Sequence, residues 1–230
     1  MNLSNLETIA PKLTEIFNTV IPLKKLPSGP YAVMKYPRWP ALMHFYVNHF
    51  FGTGFGHVFS MYTRALGGIM QLATLVFTPN EGTDVPLLLI DVMAMKRKFA
   101  AFVEYYDCTK NGAPAEAMEE IAKKYSSLPD YPEKPDWYVK ERTPYSLIKG
   151  GKDENLLCAM LKDSVQAYAR TCGLRHEPRS ENRAGLSLFI ERMAKEGNPS
   201  SAVLTKMLGR TGAEKFFRTM IMPEQNNKND

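Results

Sequence analysis

The chain has 230 residues, of which 44% are hydrophobic and 23% are charged, and this balance excludes a largely disordered protein. Its length is sufficient for one substantial hydrophobic core. The formal charge of +5 is compatible with nucleic acid, anionic lipid, an acidic protein or a carboxylate-bearing small molecule as a partner, and it does not choose among them.

The cysteine pattern and the termini narrow the class of protein further. Cys108, Cys158 and Cys172 show no CxxC spacing, so they predict neither a disulfide framework nor a metal centre. The N-terminus lacks a basic segment followed by an apolar one, and no apolar stretch is long enough to span a bilayer. We therefore expect a cytoplasmic protein without membrane association, with a single domain over residues 1–222 and a disordered tail over residues 223–230.

The first part of the chain predicts a helix followed by an extended connection. Ser4 and Glu7 have the spacing of a capping box, and apolar residues then recur at helical spacing up to Val20. Residues 22–40 are rich in proline, which predicts an extended connection. Residues 41–51 are rich in aromatic side chains, and they predict either a wall for a flat ligand or a buried helix packed on a sheet.

Three consecutive strands are predicted in the middle of the chain. Residues 70–78 form the first strand, the run Val-Pro-Leu-Leu-Leu-Ile-Asp at 85–91 begins the second, and residues 99–107 form the third. A basic turn within residues 93–98 joins the second strand to the third. Because the connections are short, we expect an antiparallel meander and not alternating βαβ units.

The rest of the chain is predominantly helical. Residues 145–148 predict one further short strand, and helices are predicted over residues 114–125, 153–171, 181–195, 200–208 and 213–222. With the first helix, these elements predict an α+β fold. We expect an α/β/α sandwich with a central antiparallel sheet flanked by helices on both faces.

Asp91 interrupts an otherwise apolar strand, and this makes it the leading candidate for a functional residue. A buried, unpaired carboxylate is costly, so Asp91 must be hydrogen-bonded, protonated or facing a cavity. Burial raises the pKa of a carboxyl group, which would suit Asp91 to protonate a substrate near neutral pH. The alternative is a structural ion pair with a nearby arginine or lysine, and the residues alone leave both interpretations open.

Several common kinds of functional site are excluded because their sequence motifs are incomplete or missing. The glycines at 52–56 lack the preceding strand and the Lys-Ser/Thr of a phosphate-binding loop, and no Gly-x-Ser-x-Gly hydrolase elbow is present. His44 and His49 lack the acidic partner of a zinc-protease helix, so no metal site is expected. Basic residues are spread over turns, loops and helix ends, which argues against a protein that recognises DNA sequence by placing a helix in a groove.

The order of several short motifs is more specific than any one of them. The chain contains, in sequence, Phe77-Thr-Pro79, the strand ending at Asp91, Leu128-Pro-Asp-Tyr131, Pro135-Asp-Trp137, Tyr145-Ser-Leu-Ile148, Glu177-Pro178, Glu181-Asn-Arg183 and Asn198-Pro-Ser-Ser-Ala-Val-Leu-Thr-Lys-Met-Leu-Gly209. This order resembles the ferredoxin-dependent bilin reductases, the family of phycocyanobilin:ferredoxin oxidoreductase, and more distantly red chlorophyll catabolite reductase. The resemblance covers residues 70–222.

The resemblance implies an α/β/α sandwich that binds an open-chain tetrapyrrole between its sheet and its C-terminal helices. It implies no bound metal or organic cofactor, with reduced ferredoxin as the external electron donor and partner. Asp91 matches the proton-donating aspartate of the family. A second acidic position of the family falls at Asn198, which can contact the bilin but cannot donate a proton as an acid does. A histidine of some members falls near Thr74, and threonine is not an acid–base group at neutral pH. These two departures from the family pattern favour two-electron reduction, or binding without turnover, over four-electron chemistry.

The resemblance also suggests roles for basic residues. Lys134 and Arg142 are candidates for binding the propionates of the tetrapyrrole. Candidates for docking an acidic ferredoxin are Lys96, Arg97, Lys98, Lys206, Arg210 and Lys215. A solvated basic surface without function is the alternative for each of them.

Three functional hypotheses follow. The first is ferredoxin-dependent reduction of a biliverdin-type linear tetrapyrrole, with Asp91 as the proton donor and Asn198 as a polar contact in the catalytic site. The second is a non-catalytic tetrapyrrole-binding protein, a carrier or sequestering factor with the same fold. The third is a basic module that binds nucleic acid, which the scattered charge does not favour.

Overall fold

The computed structural model describes residues 1, 3–37, 42–96, 98–109, 113–174, 185–197 and 201–223. Its strands, in chain order, are β1 (Leu23–Leu26), β2 (Val33–Tyr36), β3 (Met43–Gly52), β4 (Gly56–Ala65), β5 (Met70–Pro79), β6 (Leu87–Met95), β7 (Lys98–Tyr106) and β8 (Leu147–Gly151). Within the described ranges these eight strands form one antiparallel sheet in the order β1-β3-β4-β5-β6-β7-β8, and β2 also pairs with β3. The predicted α+β class is therefore confirmed.

The centre of the sheet is the meander that the sequence predicts. Strands β5, β6 and β7 pair in register, with Thr74 opposite Asp91 and Asp91 opposite Phe102. A short turn after Met95 joins β6 to β7, as expected for the basic segment. Because side chains alternate between the faces of a strand, Thr74, Asp91 and Phe102 lie side by side on the same face of the sheet.

The first half of the sheet differs from the prediction. Residues 22–40 are not simply an extended connection, because β1 and β2 lie within them and pair with β3. The buried-helix interpretation of residues 41–51 is wrong, since β3 occupies this segment and alternates between buried Phe45 and Val47 and exposed Tyr46. Strand β4 escaped prediction because it is buried on both faces, which removes the alternating pattern.

One face of the sheet carries the larger hydrophobic core, formed with helices α1 (Ile9–Asn18), α2 (Glu116–Lys124) and α3 (Glu154–Gly173). Helix α3 begins as predicted, because the Asp153 side chain accepts a hydrogen bond from the Leu156 amide. The capping box predicted at Ser4 does not form. The Ser4 hydroxyl donates to Glu154 instead, and α1 starts only after a short 3-10 turn.

The opposite face is covered by α4 (Gly185–Lys195), α5 (Ser201–Phe216) and a π-helical turn at Phe217–Ile221. We call these three elements, together with Met222, the C-terminal layer. The chain is non-helical at Gly209, which has φ 72° and ψ 167°, so the two predicted helices are nearly continuous apart from this break. This layer forms a second, smaller core with the sheet. Helices on both faces confirm the predicted sandwich.

Several expectations fall at the limits of the described residues. The first residues of the helix predicted at 181–195, and the tail predicted at 223–230 apart from Pro223, lie outside them. The single domain stays a prediction, and the packing of both helical layers on one sheet supports it. In the part of the chain described, no helix has the length and apolar character needed to cross a membrane.

Candidate functional site

Asp91 lies in the middle of the central strand β6, on the face covered by the C-terminal layer. The Thr74 hydroxyl donates a hydrogen bond to Asp91 Oδ1 at 2.5 Å, from the directly opposed position on β5. Thr74 is therefore not an acid or base but the group that holds one oxygen of the carboxyl in place. The structural ion pair considered for Asp91 is not observed among the described residues.

The environment of Asp91 favours its neutral form. Burial raises the pKa of Asp91 to about 6, while the hydrogen bond from Thr74 and the positive charge of Arg142 both lower it. A carboxyl group with such a pKa is about one tenth protonated at pH 7, roughly a hundred times the protonated fraction of an ordinary aspartate. Asp91 can thus act as a proton donor under conditions in which an exposed aspartate is almost fully ionised.

Asp91 and Thr74 are the polar groups of a narrow cleft between the sheet and the C-terminal layer. Its other lining residues, on both sides, are apolar: Phe59, Met61, Val76, Leu89, Met193, Phe217, Ile221 and Met222. The free space is about 20 Å³, room for about one water molecule. Three of the lining residues are methionines, whose unbranched side chains adapt readily to a changed cavity.

A second carboxyl group, Glu104, lies on the same face of the sheet and was not recognised from the sequence. It is on β7, opposite Leu89, and 2% of its surface is exposed. The Tyr106 hydroxyl and Arg142 Nε both donate to Glu104 Oε2, the latter at 3.0 Å. The sequence feature that could have identified it is the alternation of side chains along β7, which places Glu104 on the same face of the sheet as Phe102 and Tyr106.

Glu104 also has a raised pKa. Burial raises it to about 7, against the opposing effects of Arg142 and the Tyr106 hydroxyl, and the negative charge of Asp91 raises it further. The network is covered by aromatic rings, because Tyr106 packs on Phe189 of α4 with ring centroids 4.7 Å apart. Trp137 also contacts Phe189, with ring centroids 5.9 Å apart, and its indole N–H donates to the Gly197 carbonyl.

The two candidates for propionate binding differ in their surroundings. Lys134 is exposed in the loop before Trp137. Arg142 is almost fully buried, and its guanidinium donates to Glu104 and, through two nitrogens at 2.5 and 2.9 Å, to Glu133. Arg142 would therefore have to exchange a carboxylate partner to bind a propionate.

The docking candidates lie on two elements. Lys96 and Lys98 are exposed at the tip of the β6–β7 hairpin, and Lys206, Arg210 and Lys215 are exposed on α5. Arg97 and the catalytic-site candidate Asn198 lie outside the described residues. In the described ranges, no group of three or more His, Cys, Asp or Glu side chains is arranged to hold a metal ion.

The hairpin tip adjoins an exposed apolar patch that the sequence analysis did not identify. Lys96 N–H donates to the Ile69 carbonyl, so the β6–β7 tip contacts the neighbouring β4–β5 tip. About half of each side chain is exposed at Leu42, Leu66, Ile69 and Met95. We call these four residues the end patch. The segments that form the two tips, residues 64–72 and 92–98, contain no aspartate or glutamate.

The hydrogen bond from Thr74 gives a direct test of this site. We expect Thr74→Val to raise the pKa of Asp91, because the lost donor stabilises the ionised carboxylate. The shift should be about one pH unit, the usual size of a charge-assisted hydrogen bond expressed as a pKa. It can be measured by carbon-13 NMR of labelled aspartate, with Asp91→Asn to assign the signal.

Thr63→Val is the matched control for that measurement. Thr63 is buried on the same face of the sheet, and its hydroxyl has no hydrogen-bond partner among the described residues. It should leave the Asp91 titration unchanged. An unchanged titration in Thr74→Val as well would contradict the assigned role of Thr74.

Comparisons with known proteins agree with this architecture. No protein-family model matches the chain, and no curated protein resembles it in sequence. Among solved structures, it is similar to phytochromobilin synthase from tomato in complex with biliverdin, with a TM-score of 0.77 and 14% identity over 98% of this chain and 86% of that one. Tomato phytochromobilin synthase is a ferredoxin-dependent bilin reductase, so the resemblance inferred from the motifs is confirmed at the level of the fold. The chain has the fold of the bilin reductases.

Proposed function

We propose that the protein reduces a biliverdin-type linear tetrapyrrole by two electrons and two protons, with reduced ferredoxin as the electron donor and Asp91 as a proton donor. The observation that carries this proposal is the protonatable carboxyl of Asp91, held by Thr74 at 2.5 Å in an apolar cleft under the C-terminal layer. The fold shared with a bilin reductase solved with biliverdin supports the class of substrate.

The chemistry of the cleft suits this reaction. Addition of an electron to a conjugated tetrapyrrole makes it a stronger base, and it then takes a proton from a positioned acid. The pKa of Asp91 is raised to about 6 by burial, close to the value that is most effective for proton donation near neutral pH. The apolar walls exclude bulk water, so the proton comes from a defined group.

A linear tetrapyrrole needs far more space than the cleft provides in this structure. Binding therefore requires the C-terminal layer to move away from the sheet. The break at Gly209 and the methionines Met193 and Met222 give this layer a flexible joint and adaptable contacts. We propose Asn198, Lys134 and Arg142 as further contacts of the bound tetrapyrrole, on the resemblance to the family.

The end patch is a suitable place for the electron donor to dock. Its exposed apolar side chains are accompanied by Arg64, Lys96 and Lys98, which fits an acidic protein with an apolar contact area. Met95 is four residues along β6 from Asp91, a distance of about 14 Å. We propose the same role for Arg97 and, on α5, for Lys206, Arg210 and Lys215.

Anaerobic incubation with biliverdin, ferredoxin and a reducing system tests the proposed function. The wild-type protein should convert the absorption spectrum of biliverdin to that of a dihydro product. We expect Asp91→Asn to bind biliverdin but to reduce it at least 100-fold more slowly, because an amide cannot deliver the proton. Thr63→Val, on the same face, should retain the wild-type rate.

Three results would contradict the proposal. Tight, stoichiometric binding with an unchanged bilin spectrum under reducing conditions would identify a carrier and not an enzyme. Equal rates for wild type and Asp91→Asn would remove Asp91 from the reaction. Salt-dependent binding to DNA or RNA without binding to bilins would favour the nucleic-acid alternative.

Charge reversal tests the docking surface separately. The double variant Lys96→Glu/Lys98→Glu should raise the KM for ferredoxin about tenfold at low ionic strength, because like charges then oppose the encounter. The difference should shrink as salt is added. The matched control is Lys12→Glu on α1, an exposed lysine on the opposite helical layer. Equal effects of the two charge reversals, or a changed Kd for biliverdin in the double variant, would exclude this site.

A further inference from the structure

Glu104 is a buried carboxyl group with one anchored oxygen. The Tyr106 hydroxyl and Arg142 Nε both bond to Oε2, whereas no hydrogen bond reaches Oε1 from the rest of the described chain. A neutral carboxylic acid fits such an arrangement, because Oε2 can accept both bonds while Oε1 carries a proton. Glu104 can therefore hold one proton on β7, the strand next to the one that carries Asp91.

Glu104 and Asp91 are close enough to influence each other. Asp91 is opposite Phe102 and Glu104 is opposite Leu89, so the two carboxyl groups occupy diagonal positions on neighbouring strands. Residues in that relation are about 7–8 Å apart. A negative charge on Asp91 raises the pKa of Glu104, and the positive charge of Arg142 lowers the pKa of both.

Few other charged groups affect the pKa values of Asp91 and Glu104. Thr74 is the polar neighbour of Asp91 on β5, and the described residues that face it from the C-terminal layer are apolar: Met193, Phe217, Ile221 and Met222. Among the described residues, the titratable groups that act on Glu104 besides Asp91 are Arg142 and Tyr106, and the charge of Glu104 in turn raises the pKa of Tyr138. Arg142 is bound in turn by Glu133, and Tyr138 lies over its guanidinium.

Reduction of a double bond by two electrons consumes two protons, and the cleft supplies one. Asp91 is the only acid among the described residues that line it. After Asp91 has given up its proton, it is an anion in an apolar cleft and has none left for the second step. A second proton must therefore reach the site from a neighbouring group.

We propose that Glu104 is the reserve acid of the site, which returns a proton to Asp91 between the two electron transfers. This inference rests on the proposed function. In the step, the O–H bond of the Glu104 carboxyl breaks and an O–H bond forms on the Asp91 carboxylate, directly or through one water molecule. Negative charge passes from Asp91 to Glu104, and no electron moves.

Arg142 makes this transfer feasible. Its Nε lies 3.0 Å from Glu104 Oε2, so it stabilises the carboxylate that remains on Glu104. Burial raises the pKa of Asp91 to about 6 and that of Glu104 to about 7, so the proton passes between two acids of similar strength. Glu104 acts only through Asp91, to which it supplies the proton for the second step.

Single-turnover reduction of biliverdin by Glu104→Gln tests the role of Glu104. The glutamine keeps acceptors for Tyr106 and Arg142 but cannot donate a carboxylic proton. We expect the one-electron-reduced tetrapyrrole radical to form at the wild-type rate and to decay at least tenfold more slowly, followed by electron paramagnetic resonance and absorbance. Glu104→Asp should restore part of the decay rate. Decay at the wild-type rate in a folded Glu104→Gln protein would overturn the inference.

A second measurement needs neither tetrapyrrole nor ferredoxin. The titration of Glu104, followed by carbon-13 NMR of labelled glutamate and assigned with Glu104→Gln, should have a midpoint near neutral pH. The midpoint should fall in Asp91→Asn, which removes the neighbouring negative charge, and rise in Arg142→Gln. Arg142→Lys, which keeps the charge, should change it less.

The two measurements separate the two proposals. A wild-type protein that reduces no bilin overturns the proposed function. A Glu104 that titrates like an ordinary exposed glutamate, or that does not respond to Asp91→Asn, overturns the reserve acid whatever the reduction assay gives. A purely structural ion pair with Arg142 predicts that a folded Glu104→Gln protein is less stable but that its tetrapyrrole radical decays at the wild-type rate.

Discussion

The burial of one carboxyl group in the central strand is the constraint on which this site depends. Transfer of an ionised carboxylate into an apolar environment is costly, so the group must either be paired or keep its proton. Asp91 receives a single hydrogen bond from Thr74 in the described chain, and no counter-ion touches it. The remaining cost appears as a raised pKa, which suits Asp91 to the proton donation that we propose for it.

The two faces of the sheet are built for different purposes. The face under α1, α2 and α3 carries the larger apolar core, which stabilises the sheet and fixes the register of β5, β6 and β7. That register sets Thr74 opposite Asp91 and brings Glu104 to the diagonal position. The other face holds buried polar groups under a smaller layer, which contains the break at Gly209 and which we propose moves when a tetrapyrrole binds.

The sequence was informative where one physical signal dominated. The meander was predictable because short connections separate apolar strands, and Asp91 was conspicuous because it interrupts such a strand. The β4 strand was not predictable, since a strand that is buried on both faces lacks the alternation of apolar and polar residues by which strands are recognised. The β3 strand was missed because its aromatic residues also suggested a buried helix.

The site was predictable only in part, because its properties arise from long-range pairing. Glu104 lies in a strand whose residues are otherwise mostly apolar, but its role depends on Arg142, 38 residues away in the chain. Arg142 was expected to be free for a propionate, and its bonds to two carboxylates follow from tertiary structure. Thr74 was identified by its resemblance to a family position, and only the register shows that it holds Asp91.

The pH dependence of proton delivery to the reduced tetrapyrrole tests the central claim most directly. The decay of the one-electron-reduced species should be fast below the pKa of Asp91, about 6 in the substrate-free protein, and should slow about tenfold for each pH unit above it. The reason is that only the protonated form of Asp91 can act, and its fraction falls as the pH rises. A decay rate that is independent of pH between 5 and 8, or one that is unchanged in Asp91→Asn, would contradict the account.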